Sequence, residues 1–353
     1  TQLARYPFPH AVFDLHFHPR ISSLLGVATS AGTVSLFSVL AEGEEAGFTC
    51  LATYSVHEDP SIPALFLAWL PEAWLPGPGR DGFAVTFSDG RTGVFGVDSA
   101  AAAENNDGSG EVTELVSFNA KQPIEIWFVA AASFPHSQNM DTLDSPSTTP
   151  YLFTGDDFGA LQTIRFPDVD PTPSSASETD TTAVPQPLLN TSDRALHHTA
   201  GVTYILPLPI PLDSALTSGA PLLLTGSYDE SLRVYHASGR GRVIAEEGLG
   251  GGVWRLKLLN TSSSDENWTF LILASCMHGG TRVVRVVVSA GDSGEADAAI
   301  EVVAEFTEHE SMNYASGVWG SSPQNGGIEE GSEIKVVSSS FYDKRVCLWS
   351  VTV

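Results

Sequence analysis

The chain has 353 residues, 42% of them hydrophobic, enough to bury a large core. Its 17 Lys and Arg against 42 Asp and Glu leave a net charge of −25, which repels nucleic-acid phosphates and anionic lipid and attracts cationic groups. No apolar run is long enough to span a bilayer, and Cys50, Cys276 and Cys347 make neither a disulfide framework nor a C-x-x-C metal spacing. A reduced, cytoplasmic monomer without metal or cofactor is expected, with no direct nucleic-acid or membrane partner.

Alternation at period two predicts strands almost throughout. Six stretches share one form in chain order: a strand, a tight turn and a second strand. The first three are LLGVATSAGTVSLF (24–37) with Ala31 at the turn, FAVTFSDGRTGVF (83–95) with Asp89, and YLFTGDDFGALQTI (151–164) with Asp157. LLLTGSYDESLRVY (222–235) turns at Asp229, LILASCMHGGTRVV (271–284) at His278, and VVSSSFYDKRVCLW (336–349) at Asp343. A β-rich run suited to an inner strand precedes each, from AVFDLHFHP to NYASGVWG. TCLATYSV, EVTELVSF, GRVIAEE and IEVVAEF suit outer strands.

These units resemble WD repeats, whose four-stranded blades run to about 40–45 residues. The turns lie 49–72 residues apart, and the excess falls in loops at 98–111, 134–150 and 168–187. The last, DVDPTPSSASETDTTAVPQP, is polar and proline-rich enough to predict disorder. The expected fold is all-β: a single WD-repeat β-propeller over 1–353, with six visible blades of four strands and a seventh left open. The sixth unit ends without an outer strand, and N-terminal TQLARY is expected to supply it, closing the ring and removing exposed sheet edges.

Likeness to WD repeats implies a buried set in each blade: a histidine before the inner strand, a hydroxyl on the second, Asp at the turn and Trp on the third. Asp orients the imidazole, and the hydroxyl continues the chain of bonds. The fourth unit offers His198, Thr225 or Ser227, Asp229, and Tyr235 in the Trp position. The sixth offers His309, Ser338 or Ser340, Asp343 and Trp349. The fifth lacks the set: its approach is GLGGGVW, without histidine, and its turn carries His278. His278 is thus expected to have no partner in its own blade. Gly250, Gly251 and Gly252 either form a sharp turn beneath Trp254 or present N–H groups to a developing negative oxygen. Glu125, beside Trp127, either holds a cation or proton or is a solvated rim charge.

Longer phrases are more particular. IEIWFVAAA, LFTGDDFGAL, HTAGVTYILPLP, LGGGVWRLKL, LASCMHGG, HESMNYASGVW and SSSFYDKRVCLW occur in that order, and the series resembles the diphthine methylesterase family of diphthamide biosynthesis. The resemblance runs from about Ala11 to Trp349 and is strongest from His198 onward. Lys121 and Pro123 stand where the family usually has a histidine. It implies hydrolysis of the methyl ester of methylated diphthine, a modified histidine of translation elongation factor 2. On that reading His278 is the general base acting on water, its imidazole unpaired and near its reference pKa of about 6.5. His309 is the fallback base, and a serine nucleophile activated by His278 is the variant. The Gly250–Gly252 amides hold the oxyanion; Trp127, Trp254, Tyr314 and Tyr342, with Glu125 as anion, receive the trimethylammonium. The alternatives are a non-catalytic scaffold and a methyl-cation reader acting on the same factor.

Overall fold

A computed structural model describes residues 4–40, 46–76, 80–97, 112–136, 147–169, 184–193, 198–264, 267–291, 294–319 and 331–353. All regular structure among them is β-strand, in six antiparallel sheets that succeed one another along the chain. They are the six blades of a β-propeller, as the repeat predicts.

The chain divides into two compact units. The first, Thr1–Asp157 with Gln162–Ser192, holds three blades. Blade 1 is β1 (Val12–Phe17), β2 (Leu24–Thr29), β3 (Thr33–Leu40) and β4 (Gly47–Ser55). Blade 2 is β5 (Ala64–Trp69), β6 (Asp81–Phe87), β7 (Arg91–Val97) and β8 (Val112–Asn119). Blade 3 is β9 (Ile126–Pro135), β10 (Thr148–Asp156), β11 (Leu161–Arg165) and β12 (Leu189–Asp193).

The second unit, Phe158–Leu161 with Asp193–Val353, holds the other three. Blade 4 is β13 (Val202–Pro207), β14 (Leu222–Ser227), β15 (Ser231–His236) and β16 (Arg242–Gly248). Blade 5 is β17 (Arg255–Ser263), β18 (Asn267–Ser275), β19 (Thr281–Ala290) and β20 (Ala296–Phe306). Blade 6 has three described strands, β21 (Asn313–Val318), β22 (Glu333–Ser340) and β23 (Val346–Thr352).

The sequence pattern follows from burial. The second strands β2, β6 and β14 are covered on both faces, so they are buried at every position and read as continuous small or apolar runs. Outer strands such as β16 and β20 alternate because one face meets solvent. In the second unit Leu222, Leu224, Leu232, Val234, Phe270, Ile272, Val284 and Val286 are fully buried in one cluster. Each such side chain contributes roughly 1.5–3 kcal/mol of transfer free energy.

One loop expectation needs correction. The 134–150 segment is not all loop, since β9 runs to Pro135 and β10 starts at Thr148; its middle, 137–146, lies outside the described residues. The predicted disorder over 168–187 and the loop at 98–111 fall mostly or wholly outside them too, although Val169 bridges back to Thr148. Of TQLARY, residues 1–3 are not described, and Tyr6 packs edge-on against Phe8 and Phe37 of blade 1.

One backbone device matters for function. A one-residue bulge falls near the start of the inner strand at Phe13, Leu65, Trp127, Thr203 and Tyr314. Trp254 occupies the equivalent place just before β17, donating its amide to Ser275 O at 2.8 Å. A bulge re-aims the side chain it carries. Three of the four aromatic residues singled out above stand at this one position.

Candidate functional site

In blade 4, His198 places Nδ1 3.0 Å from Asp229 and Nε2 3.0 Å from Thr225 Oγ1. Ser227 bonds Ala200 O instead, so Thr225 is the hydroxyl of the set. Burial holds the His198 imidazole below its ordinary pKa, outweighing the pull of Asp229. Asp229 stays ionised despite its own burial, far below the usual carboxylate range, because His198 and the N–H groups of Thr199 and Ser231 donate to it. Tyr235 does not join: its hydroxyl donates to Asp193 Oδ2 at 2.8 Å. A phenol reaches past the point where an indole N–H would stop, which corrects its assignment to the Trp role.

Blade 6 uses both serines. His309 Nε2 meets Ser338 Oγ at 2.8 Å and Nδ1 meets Ser340 Oγ at 2.9 Å. Ser340 donates to Asp343, and Trp349 Nε1 donates to Ser338 at 3.1 Å. Burial also lowers the His309 pKa. With both ring nitrogens engaged, His309 can act as a base only by breaking this set. Blade 2 has a pair that the sequence reading missed, His57 and Asp89 at 3.2 Å. Its signal was legible: the His-to-Asp separation of 32 residues is close to the 31 in blade 4.

Blade 5 is built differently. Ser275 and Thr281 both reach Ser316 at 3.0 Å, and Thr281 donates to Asn313 Oδ1 at 3.1 Å, so hydroxyls and an amide replace the imidazole set. The turn is tied to blade 6 through Met277 N to Asn313 O (3.1 Å) and Asn313 N to Met277 O (2.9 Å). Met277 takes a left-handed φ of 41°, a conformation that side chains with a Cβ adopt at a cost. His278 stands out from this turn, 55% exposed, with Nε2 3.3 Å from Glu230 Oε1. It is therefore not unpaired. Its partner comes from the blade 4 turn, outside its own blade.

The glycines pack directly on that turn. A Cβ on Gly251 would stand 2.2 Å from Cys276 O and 2.4 Å from Gly279 N, and one on Gly252 would stand 2.7 Å from Met277 Sδ. Gly251→Ala is accordingly expected to cost at least about 1–3 kcal/mol, the usual range for overpacking; urea denaturation would measure it, and an unchanged midpoint would contradict this packing. Among the described residues no hydrogen bond reaches the amides of Gly250, Gly251 or Gly252. Close packing and N–H groups without a hydrogen bond thus occur together at the triplet.

Aromatic rings continue from there. Tyr228 lies 5.8 Å from Trp254, Trp254 5.4 Å from Tyr314, Tyr314 6.3 Å from Phe341, and Phe341 5.0 Å from Tyr342. Tyr228, Phe341 and Tyr342 are exposed. Tyr228 and Phe341 escaped the sequence reading, although each sits one or two residues before a turn Asp already noted. His278, His309, Glu310, Ser311, Met312 and Tyr342 line a depression of about 330 Å³. Ser311 is the serine of this wall, its Oγ accepting the Tyr342 N–H at 2.9 Å. Glu125 and Trp127 belong to the other unit. There Trp127 Nε1 donates to Asp157 at 2.7 Å and Glu125 O accepts the Asp157 N–H at 3.0 Å. The described residues contain no cluster of three or more His, Cys, Asp or Glu able to hold a metal.

No known protein family's sequence profile matches the chain. A curated relative, "Diphthine methyltransferase" of Schizosaccharomyces pombe, is 31% identical over 157 residues, 44% of this chain. The match spans 39% of that relative's length, so the likeness is local. Among solved structures, Saccharomyces cerevisiae Sqt1 superposes with a TM-score of 0.50 at 12% identity, covering 99% of this chain and 78% of its own. Chaetomium thermophilum Sqt1, solved bound to the N-terminus of ribosomal protein L10, gives 0.48 at 14% identity over 95% and 73%. These likenesses concern the fold.

Proposed function

We propose that this chain is a protein methylesterase of diphthamide biosynthesis, acting in the cytoplasm on the modified histidine of translation elongation factor 2. The observation that carries the reading is blade 5: its histidine is out-turned and free of the buried sets, and the turn that bears it packs, through Cys276, Met277 and Gly279, against glycines whose amides carry no hydrogen bond among the described residues. The local likeness to the fission-yeast relative supports the pathway. The acidic chain and the row of rings suit a quaternary ammonium, each ring contributing about 0.5–2 kcal/mol.

In the proposed reaction His278 takes a proton from water as the water oxygen attacks the ester carbonyl. Glu230, whose Oε1 lies 3.3 Å from Nε2, orients the imidazole. The oxyanion is held by the Gly250–Gly252 amides. Collapse breaks the bond to the methoxy oxygen, which leaves as methanol with the proton from His278, and the acid ionises. Ser311 supports the covalent variant, since it lines the same depression as His278.

The test is to incubate the purified chain with methyl-esterified elongation factor 2 and follow the methyl ester by mass spectrometry, with and without a methyl donor. Loss of one methyl without donor is expected. Binding without loss would favour the scaffold or reader, and donor-dependent gain would make it a transferase; either overturns the esterase. Trp254→Ala is expected to raise KM roughly 2- to 30-fold with little change in kcat, as for binding shared by ground and transition states. Steady-state kinetics would show it, and a pure kcat loss would contradict a binding role.

A further inference from the structure

The turns of blades 4 and 5 align without a gap, 222–235 on 271–284, and so do the approaches GVTY and GVWR. Thr199 then corresponds to Gly250, Asp229 to His278 and Arg233 to Arg282. In blade 4 the Asp229 carboxylate gathers the N–H groups of Thr199 (2.9 Å) and Ser231 (3.1 Å), with Arg233 Nη2 3.9 Å away. In blade 5 the carboxylate is replaced by an imidazole turned toward Glu230, while two of the corresponding donors remain without a carboxylate between them.

From this we infer that Arg282 and the Gly250 amide form a binding site for a carboxylate supplied by the ligand. Arg282 is 8% exposed. Its Nη1 donates to Gly279 O at 2.5 Å and Thr281 O at 3.3 Å, and its Nε faces Glu305 Oε2 at 3.6 Å. Nη2 makes no hydrogen bond among the described residues and stands 3.5 Å from where a Gly250 Cβ would lie. Gly250 is exposed, so a solute can reach this corner. The other charges near it are accounted for: Glu305 is 63% exposed on the Nε side, and Glu230 faces His278.

The physical driving force is plain. A guanidinium is always charged, and one taken out of water is stabilised by an anion that accepts from its fork. A left-handed glycine (φ 75°) with no Cβ lets that anion approach the backbone N–H. On the esterase reading, on which only the identity of the acid rests, the group bound is the product carboxylate. Arg282 thus acts as a product- and orientation-determining residue beside the glycine amides.

The experiment uses the intact chain labelled with nitrogen-15, titrated with sodium acetate against sodium chloride at equal ionic strength. Saturable shifts are expected at the Arg282 Nε–H and Gly250 N–H signals with acetate alone. None is expected at Arg233, whose guanidinium already pairs with Glu246 at 2.7 Å. His278→Asp, which returns a carboxylate to the turn, is expected to abolish the response. Absent shifts, equal shifts with chloride, or an undiminished response in His278→Asp would each overturn the site. Acetate binding without ester hydrolysis leaves this site standing and removes the esterase; hydrolysis without acetate binding does the reverse.

Discussion

His278→Ala is expected to lower methyl-ester hydrolysis by roughly 10²–10⁴-fold, the range for losing a general base. Folding stability should change by no more than about 1 kcal/mol, because the His278–Glu230 pair is half-exposed and such pairs contribute little. The two readouts separate chemistry from structure. Turnover within a few-fold of wild type would remove His278 from the mechanism. A large fall in the unfolding midpoint would show that the turn depends on the imidazole, and would equally contradict the assignment. Glu230→Gln should act in the same direction more weakly, since it leaves the base in place and alters only what orients it.

The second large effect is on stability and its pH dependence, and it belongs to His198 and Asp229. Asp229→Ala removes the acceptor of a buried imidazole and two backbone N–H groups. A loss of about 3 kcal/mol is expected, as for a buried pair left half unmade. For His198 the sign follows from burial, which lowers the folded pKa beneath the unfolded value of about 6.5. As pH falls below that value the unfolded chain takes up a proton that the folded one refuses, so this stability is present above about pH 6.5 and is lost on acidification. His309 acts in the same sense. Asp229, lowered far below its unfolded pKa of about 3.9, contributes stability that is lost only in stronger acid. Urea titrations of wild type and His198→Gln between pH 5 and 7 would test this. Wild type should gain stability relative to the variant as pH rises, and the opposite slope would mean that the folded imidazole is charged.

Much of the fold was legible because its signals are local. Strand, turn and strand are set within about fourteen residues, as in LLLTGSYDESLRVY, and alternation marks which strand has one face in solvent. The pairing of His198 with Asp229 was readable for the same reason: a buried imidazole needs a partner, and one blade supplies both. Tyr235 misled because identity at one position says nothing of reach.

The amino-acid sequence by itself determined the repeat, six visible blades, the His–Asp pairing of blade 4, the histidine set of blade 6 and the oddity of blade 5. Only the tertiary structure decided what surrounds that oddity. Glu230 meets His278, Asn313 holds Met277, and Trp254 meets Tyr314, each pair joining residues of neighbouring blades. Strand pattern constrains contacts within a sheet through hydrogen-bond register. Contacts between blades depend on how bulges aim side chains and how closely glycines let two backbones approach, and neither quantity is written in the alternation of residues.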